Sequence, residues 1–255
     1  MRGLILKDLM CLRKQLIIFS YIVIFVLVIS VMFVLSSRYG NLAVVNEEMM
    51  IANDMSYADI RSLSTWALII FMFLPIATVS DAAAIFVEDG KAGFADVSAC
   101  LPLSVEKRVL AKYITVFAMF GLGVAIDLVI SFILSRLTDI ISFADFLGII
   151  ISAASLMSIY GALVIGFCFL YGYGKEDYAI ISSGALIILT AILVNIHKIK
   201  NLFMSADDVQ GMNAFENFID FFKHKFYILF VIALITMVVS YFASVRIAKK
   251  KRGVV

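Results

Sequence analysis

Six long apolar runs constrain the fold of this chain more than any other feature. Each run is close to the roughly 20 residues that an α-helix needs to cross a hydrocarbon layer about 30 Å thick. Inside a bilayer every backbone polar group must be satisfied within the segment itself, so such runs predict membrane-spanning helices. The predicted spans are residues 16–35, 64–86, 110–134, 143–171, 178–196 and 226–245.

The composition agrees with this interpretation. Apolar residues make up 63% of the 255 residues and charged residues only 16%, a balance that soluble domains do not reach. The runs use about half of the chain, so no room is left for a separate soluble domain. We therefore expect an all-α integral membrane protein with six transmembrane helices, formed as a single transmembrane domain over residues 1–255.

The distribution of Lys and Arg predicts the orientation of the chain. With the amino terminus inside the cell, the cytoplasmic segments hold 14 of the 21 basic residues and the outer segments hold 7. Cytoplasmic loops retain positive charge, so we expect a multi-pass protein of a bacterial plasma membrane with both termini in the cytoplasm. The net charge of +2 is small, and the basic residues lie at the ends of apolar runs rather than on one patch, which disfavours nucleic acid as a partner.

Two segments outside the spans have helical periodicity. Residues 1–14 place apolar side chains at helical spacing opposite Arg2, Lys7, Asp8 and Lys14, which predicts an interfacial helix that enters the first span at an elbow. The alternative is an unstructured tail whose charges only orient that span. The outer loop at 197–225 contains a second amphipathic pattern at 212–222, which is either a lid or substrate contact or a helix floating among lipid headgroups.

Catalytic and metal-binding motifs are missing from the sequence. The Gly172–Lys175 stretch looks like a phosphate loop, yet Glu176 follows the lysine where such a loop has Ser or Thr. His197 and His224 stand at opposite ends of an outer segment without a metal-binding cluster. We therefore expect no enzyme activity, no metal site and no cofactor in this chain.

Two acidic residues lie within the predicted spans, Asp81 near the cytoplasmic end of the second and Asp127 midway along the third. Ionisable residues inside a membrane are costly and often mark ion or proton pathways. One interpretation is a proton relay that uses both carboxyl groups. The other is that Asp81 reaches interfacial water while Asp127 bonds to a neighbouring Ser or Thr.

The cytoplasmic link between the second and third spans, residues 87–109, carries the strongest positive signal. Phe94, Val97 and Leu101 share one helical face, Pro102 ends the helix, and Ser104 is suited to cap the next one. These positions predict an amphipathic helix at 88–101 below the membrane, placed to dock into a soluble partner. The residues expected to make that docking surface are Glu88, Asp89, Lys91, Phe94, Val97, Leu101 and Pro102.

These residues resemble a known family, the ABC-2-type permease subunits, and within it the small six-span group encoded beside a separate ATPase. In that group an acidic pair with Lys precedes a helix, a Ser-Leu-Pro-x-Ser unit and a Val-x-x-Lys-Tyr unit. This chain has Glu88-Asp89 with Lys91, then Leu101-Pro102-Leu103-Ser104, then 109–113 as Val-Leu-Ala-Lys-Tyr. Its opening, Gly-Leu-Ile-Leu-Lys-Asp-Leu at 3–9, is also similar to that group's.

The chain departs from the family pattern in two places. Ala99 and Cys100 separate Ser98 from the Leu-Pro unit, and Asp96 and Val97 stand where aromatic residues are common. These differences leave the fold expectation unchanged but put the choice of ATPase partner in question.

The resemblance implies an ABC-2 architecture like that of type V exporters, with a coupling helix docked on a cytoplasmic ABC ATPase. It implies a second permease chain, as a homodimer or a heterodimer, and ATP with Mg²⁺ bound in the ATPase rather than here. The family includes exporters of peptide toxins, among them phenol-soluble modulins, so the expected substrate is an amphipathic peptide or another hydrophobic molecule. A runner-up is a proton-coupled secondary transporter that uses Asp81 and Asp127, and a third alternative is a sensor or immunity subunit that docks an ATPase but transports nothing.

Overall fold

A computed structural model describes residues 2–39, 83–94, 103–137, 142–204 and 226–252. Within those residues the chain is helical and contains no strand. We number the helices α1 (Arg2–Cys11), α2 (Arg13–Tyr39), α3 (Ala84–Lys91), α4 (Val105–Leu137), α5 (Phe143–Tyr171), α6 (Glu176–Met204) and α7 (Phe226–Arg252).

Four stretches in the described residues are long and apolar enough to cross a membrane, namely Arg13–Ser36, Val105–Leu137, Phe143–Tyr171 and Phe226–Lys251. They correspond to the predicted first, third, fourth and sixth spans. The predicted fifth span lies inside α6, and the predicted second span falls outside the described residues except for its last turn. The all-helical class is thus confirmed, while the count of six spans stays a prediction.

Helix ends follow local capping chemistry. Ser142 caps α5 because its hydroxyl accepts a hydrogen bond from the Asp145 backbone N–H at 3.2 Å. The same helix ends where Gly172 takes φ +90°, and its N–H donates to the Cys168 carbonyl. Ser104 begins α4 as expected, since the Lys107 N–H donates to its hydroxyl at 3.4 Å.

Several helix boundaries differ from those predicted. Helix α4 begins before residue 110. The prediction missed its first turn because that turn is polar and does not belong to an apolar run. Helix α6 continues through Met204, so the predicted outer loop at 197–225 begins with about two helical turns. The amphipathic pattern at 212–222 lies outside the described residues.

The main helix–helix contact joins α5 to α7, and small residues make it close. Gly166 faces α7 so tightly that a Cβ built there would lie 3.0 Å from the Ser240 hydroxyl oxygen. The Tyr113 hydroxyl of α4 lies 2.7 Å from the Ser240 hydroxyl and 3.1 Å from that of Ser244. Small side chains let helices approach in lipid, where packing and hydrogen bonds supply the attraction.

One end of the bundle gathers segments that are far apart in the chain. The α1 helix meets α3 and the start of α4 there through ion pairs. The Lys249 ammonium pairs with Glu106, which brings the end of α7 to the start of α4. The Lys251 ammonium donates to the Phe169 and Leu170 carbonyls at the end of α5, both at 2.9 Å. All segments that the charge distribution placed in the cytoplasm and that the structure describes therefore lie on the same side.

Candidate functional site: an ion cluster at the base of the link

Four charged side chains meet at this end of the bundle, and we call Lys7, Asp8, Asp89 and Lys112 the ion cluster. The Lys112 ammonium donates to Asp89 Oδ2 at 2.5 Å and to Asp8 Oδ1 at 3.0 Å. The Lys7 ammonium lies 2.5 Å from Asp89 Oδ1 and 2.8 Å from Asp8 Oδ1. Each ammonium group thus contacts both carboxylates, and one arrangement joins α1, α3 and α4.

Burial makes these contacts obligatory. Asp8 and Asp89 are 1% and 2% exposed, and Lys112 is 8% exposed. An ionised group taken out of water is destabilising unless it is paired and hydrogen-bonded. With two cations and two anions the cluster is formally neutral, so each member compensates the others. Removing one partner from a buried ion pair commonly costs about 3–5 kcal/mol.

Contacts within and around the ion cluster shift the pKa values of Lys7 and Tyr173. Burial lowers the pKa of Lys7, but the hydrogen bonds to Asp8 and Asp89 and the charges of both carboxylates raise it more, so it lies above its ordinary value. Burial, together with the same two carboxylates, raises the pKa of Tyr173 in the turn between α5 and α6 to about 12. At neutral pH Lys7 is therefore charged and Tyr173 is a neutral phenol.

The first residues of the link belong to helix α3. Helix α3 runs through Lys91, and Gly93 follows with φ +61°, a conformation that glycine adopts without steric cost. Phe94 then resumes a helical conformation. The prediction of an unbroken helix over 88–101 is therefore wrong at its start: the chain turns at Ala92 and Gly93.

The predicted docking residues divide into three groups. Glu88 and Lys91 lie on the exposed side of α3, where they pair at 3.1 Å. Phe94 is half-buried, and the Lys7 ammonium lies 3.6 Å from the centre of its ring, a cation–π contact. Asp89 points the other way, into the ion cluster. Val97, Leu101 and Pro102 lie outside the described residues.

Comparison with known proteins decides the family. The family described as ABC-2 family transporter protein matches residues 49–249, most of the chain. This chain belongs to the ABC-2 family. It is thus a multi-pass membrane component of an ABC transporter, a class of permease that works with an ABC ATPase. The comparisons with curated proteins and with solved structures gave no match.

Sequence reasoning missed part of the permease's ion cluster. It placed Lys7 and Asp8 on the polar face of an interfacial helix, but Asp8 is buried while Leu6 and Met10 are 55% and 66% exposed. The reason is tertiary, because Lys112 on another helix supplies the charge that compensates Asp8. A signal in the sequence was that Lys112 is the third residue of a predicted span whose one other charged residue is Asp127.

Asp127 lies in the third predicted span and is 0% exposed. Neither of its carboxylate oxygens has a hydrogen-bond partner within the described part of the permease. The nearby Ser131 hydroxyl donates to the Asp127 backbone carbonyl at 2.7 Å rather than to its carboxylate. Among the described residues no Ser or Thr bonds that carboxylate, so the expected bond stays a prediction, and Asp81 falls outside the described residues. No group of three or more His, Cys, Asp or Glu side chains suited to a metal occurs in the described ranges.

A neutral substitution at Asp127 separates the two transport mechanisms. We expect Asp127→Asn to fold and to keep ATP-dependent transport, because the amide has nearly the same shape and the carboxylate makes no described bond that would be lost. The measurement is substrate transport by the reconstituted permease with its ATPase. A loss of about tenfold or more, equivalent to about 1.4 kcal/mol, in protein that still folds would favour proton coupling instead.

Proposed function

We propose that this permease is the membrane-spanning subunit of an ATP-binding-cassette exporter. It moves an amphipathic peptide or another hydrophobic substrate out of the cell, using ATP that a separate cytoplasmic ATPase subunit hydrolyses with Mg²⁺. The observation that carries the proposal is the base of the link: exposed Glu88 and Lys91 share a helix with Asp89 of the ion cluster, and half-buried Phe94 contacts Lys7 of that cluster. A docking surface needs such support if a partner is to push on it without bending it.

The direction of the chain in the membrane supports a cytoplasmic position for that surface. The N-terminal helix, the base of the link, the turn at Tyr173 and the end of α7 all lie at one end of the bundle, and these segments are rich in Lys and Arg. The positive-inside tendency then assigns this end to the cytoplasm, where an ATPase and its nucleotide are found. The chain carries no nucleotide-binding loop of its own, so the energy source is a second polypeptide.

In this mechanism two permease chains pair, as identical or different copies, and each sets its link against one ATPase subunit. ATP binding draws the ATPase subunits together, and the links pass that displacement to the spans. The helix bundle has two conformations, one with an outward path open and one with it closed. Nucleotide binding changes the populations of these two conformations. The peptide assignment depends on the resemblance to peptide exporters, and the 22 Phe and 12 Met of the chain suit an adaptable apolar lining.

Isolation from the native host tests the proposal. We expect the tagged, full-length permease to bring down a soluble ATPase, and the reconstituted complex to move a fluorescent amphipathic peptide across proteoliposomes only when ATP and Mg²⁺ are on the ATPase side. If no ATPase co-purifies and transport follows an imposed proton gradient, the secondary-transporter alternative replaces this one. An ATPase that binds without any transport of peptides or lipid-like probes would instead indicate a sensor or immunity subunit.

A further inference from the structure

The ion cluster contains one residue near each end of the link. Asp89 is the third residue of the link, and Lys112 is the third residue after it. The Lys112–Asp89 bond therefore closes residues 89–112, a separation of 23 positions, into a loop whose two ends are held together. A force that reaches either end of the link therefore acts on both ends, since they are joined inside the protein.

The same ammonium also ties in the N-terminal helix. Asp8 is 104 positions from Lys112 in the chain, and it accepts a hydrogen bond from the Lys112 ammonium in a site shielded from water. Its neighbour Lys7 contacts Asp89 and the ring of Phe94. Since α1 leads into α2 across one residue, a displacement of Phe94 or Asp89 reaches the first span through α1 as well as the third span through α4.

Lys112 has the central place in this arrangement. It is the cluster cation that belongs to a spanning helix, and it is more deeply buried than Lys7, whose side chain is 26% exposed. Its contacts reach α1 and α3 together, so its loss frees α4 from both, while Lys7 still joins α1 to α3. A chain that needed only stability at this place would be served as well by apolar side chains, because buried ion pairs are often replaceable by them without loss.

We propose that Lys112 is a positioning residue for energy coupling: its ammonium holds the two ends of the link and the N-terminal helix as one rigid body, so that a push on the link moves the first and third spans together. This inference rests on the proposed function. Lys112 is buried beneath the docking surface and acts through Asp89 and Asp8 rather than by touching the ATPase.

The test compares transported substrate per ATP hydrolysed in the reconstituted permease–ATPase complex. We expect Lys112→Met to reduce this ratio by about tenfold or more while the ATPase still co-purifies, and Lys112→Arg to restore most of it, because Arg keeps the charge and can bond both carboxylates. Lys249→Met is the matched control, since Lys249 pairs with Glu106 on the exposed surface and its loss should leave the ratio unchanged. A merely structural role would lower the yield of folded complex without changing the ratio.

Asp8→Asn is the second variant, for the case that Lys112→Met does not fold. The amide still accepts hydrogen bonds but lacks the charge. We therefore expect a smaller reduction in the amount of substrate transported per ATP hydrolysed. An unaltered ratio in folded Lys112→Met, or in Asp8→Asn if the first variant is lost, overturns the positioning role. Failure of the proposed function is seen separately, because the unmodified complex would then show no ATP-dependent transport at all.

Discussion

Leu101→Asp is expected to reduce ATP-driven transport strongly in a permease that still folds and inserts. The sequence places Leu101 on the same helical face as Phe94 and Val97, the face proposed to enter a groove on the ATPase. A carboxylate pressed into an apolar groove without a partner is strongly destabilising for the complex. We expect ATP hydrolysis to lose its dependence on substrate and transport to fall by about tenfold or more, which corresponds to about 1.4 kcal/mol of lost interaction.

Ala99→Asp is the matched control for this substitution. It adds the same charge to the same segment, but the helical register puts residue 99 on the side opposite the apolar face. Phe94→Ala is a milder variant that removes the aromatic ring held by Lys7. The measurement is the ATPase rate with and without substrate, together with peptide transport. Substrate stimulation that is unaltered in both Leu101→Asp and Phe94→Ala would reject the docking role of the link.

Gly166→Leu is expected to lower the stability of the helix bundle. A Cβ at this position would already lie 3.0 Å from the Ser240 hydroxyl oxygen, at the contact between α5 and α7. That oxygen cannot simply rotate away, because it bonds the Ala162 carbonyl and the Tyr113 hydroxyl. The remaining carbons of a leucine would have to push the helices apart, and overpacking of this kind usually costs about 1–3 kcal/mol.

Gly121→Leu provides the comparison for Gly166→Leu. Gly121 lies on α4 and is exposed, with no atom of the described residues within 4 Å of the position that a Cβ would take. The same side chain is added to a helical glycine of a spanning segment, but it meets no other helix that the structure describes. Thermal denaturation in detergent micelles should show a lower midpoint for the Gly166 variant alone. Equal midpoints for the two variants would mean that α5 and α7 do not pack closely at Gly166.

Much of the fold was predictable because it depends on local properties of the chain. Apolar runs of sufficient length predicted α2, α4, α5 and α7, and the predicted fourth span has the same ends as α5. The cap at Ser104 was also predictable, since a hydroxyl just before a helix bonds a backbone N–H only three residues away. Family membership likewise followed from short motifs around the link, and the match over 49–249 confirmed it.

The candidate site was predictable only in part. Glu88, Lys91 and Phe94 keep the exposed or half-buried positions that a docking surface requires, but Asp89 was taken for a docking residue and is buried. Residues 88 and 89 differ by a rotation of about 100° around the helix axis, so the choice between solvent and interior depends on which neighbour packs there. The turn at Gly93 was missed for a similar reason, because glycine permits a positive φ without requiring it.

The sequence by itself determined that this protein is a helical membrane protein, because length and hydropathy are properties of each segment alone. Only the tertiary structure decided that Lys7, Asp8, Asp89 and Lys112 form one buried, neutral cluster. A charge near the end of an apolar run can face water, lipid headgroups or an opposite charge, and the neighbouring residues in the sequence do not distinguish these environments. The choice was made by the packing of α1 and α3 against α4, which removes water from all three and leaves the opposite charges as each other's partners.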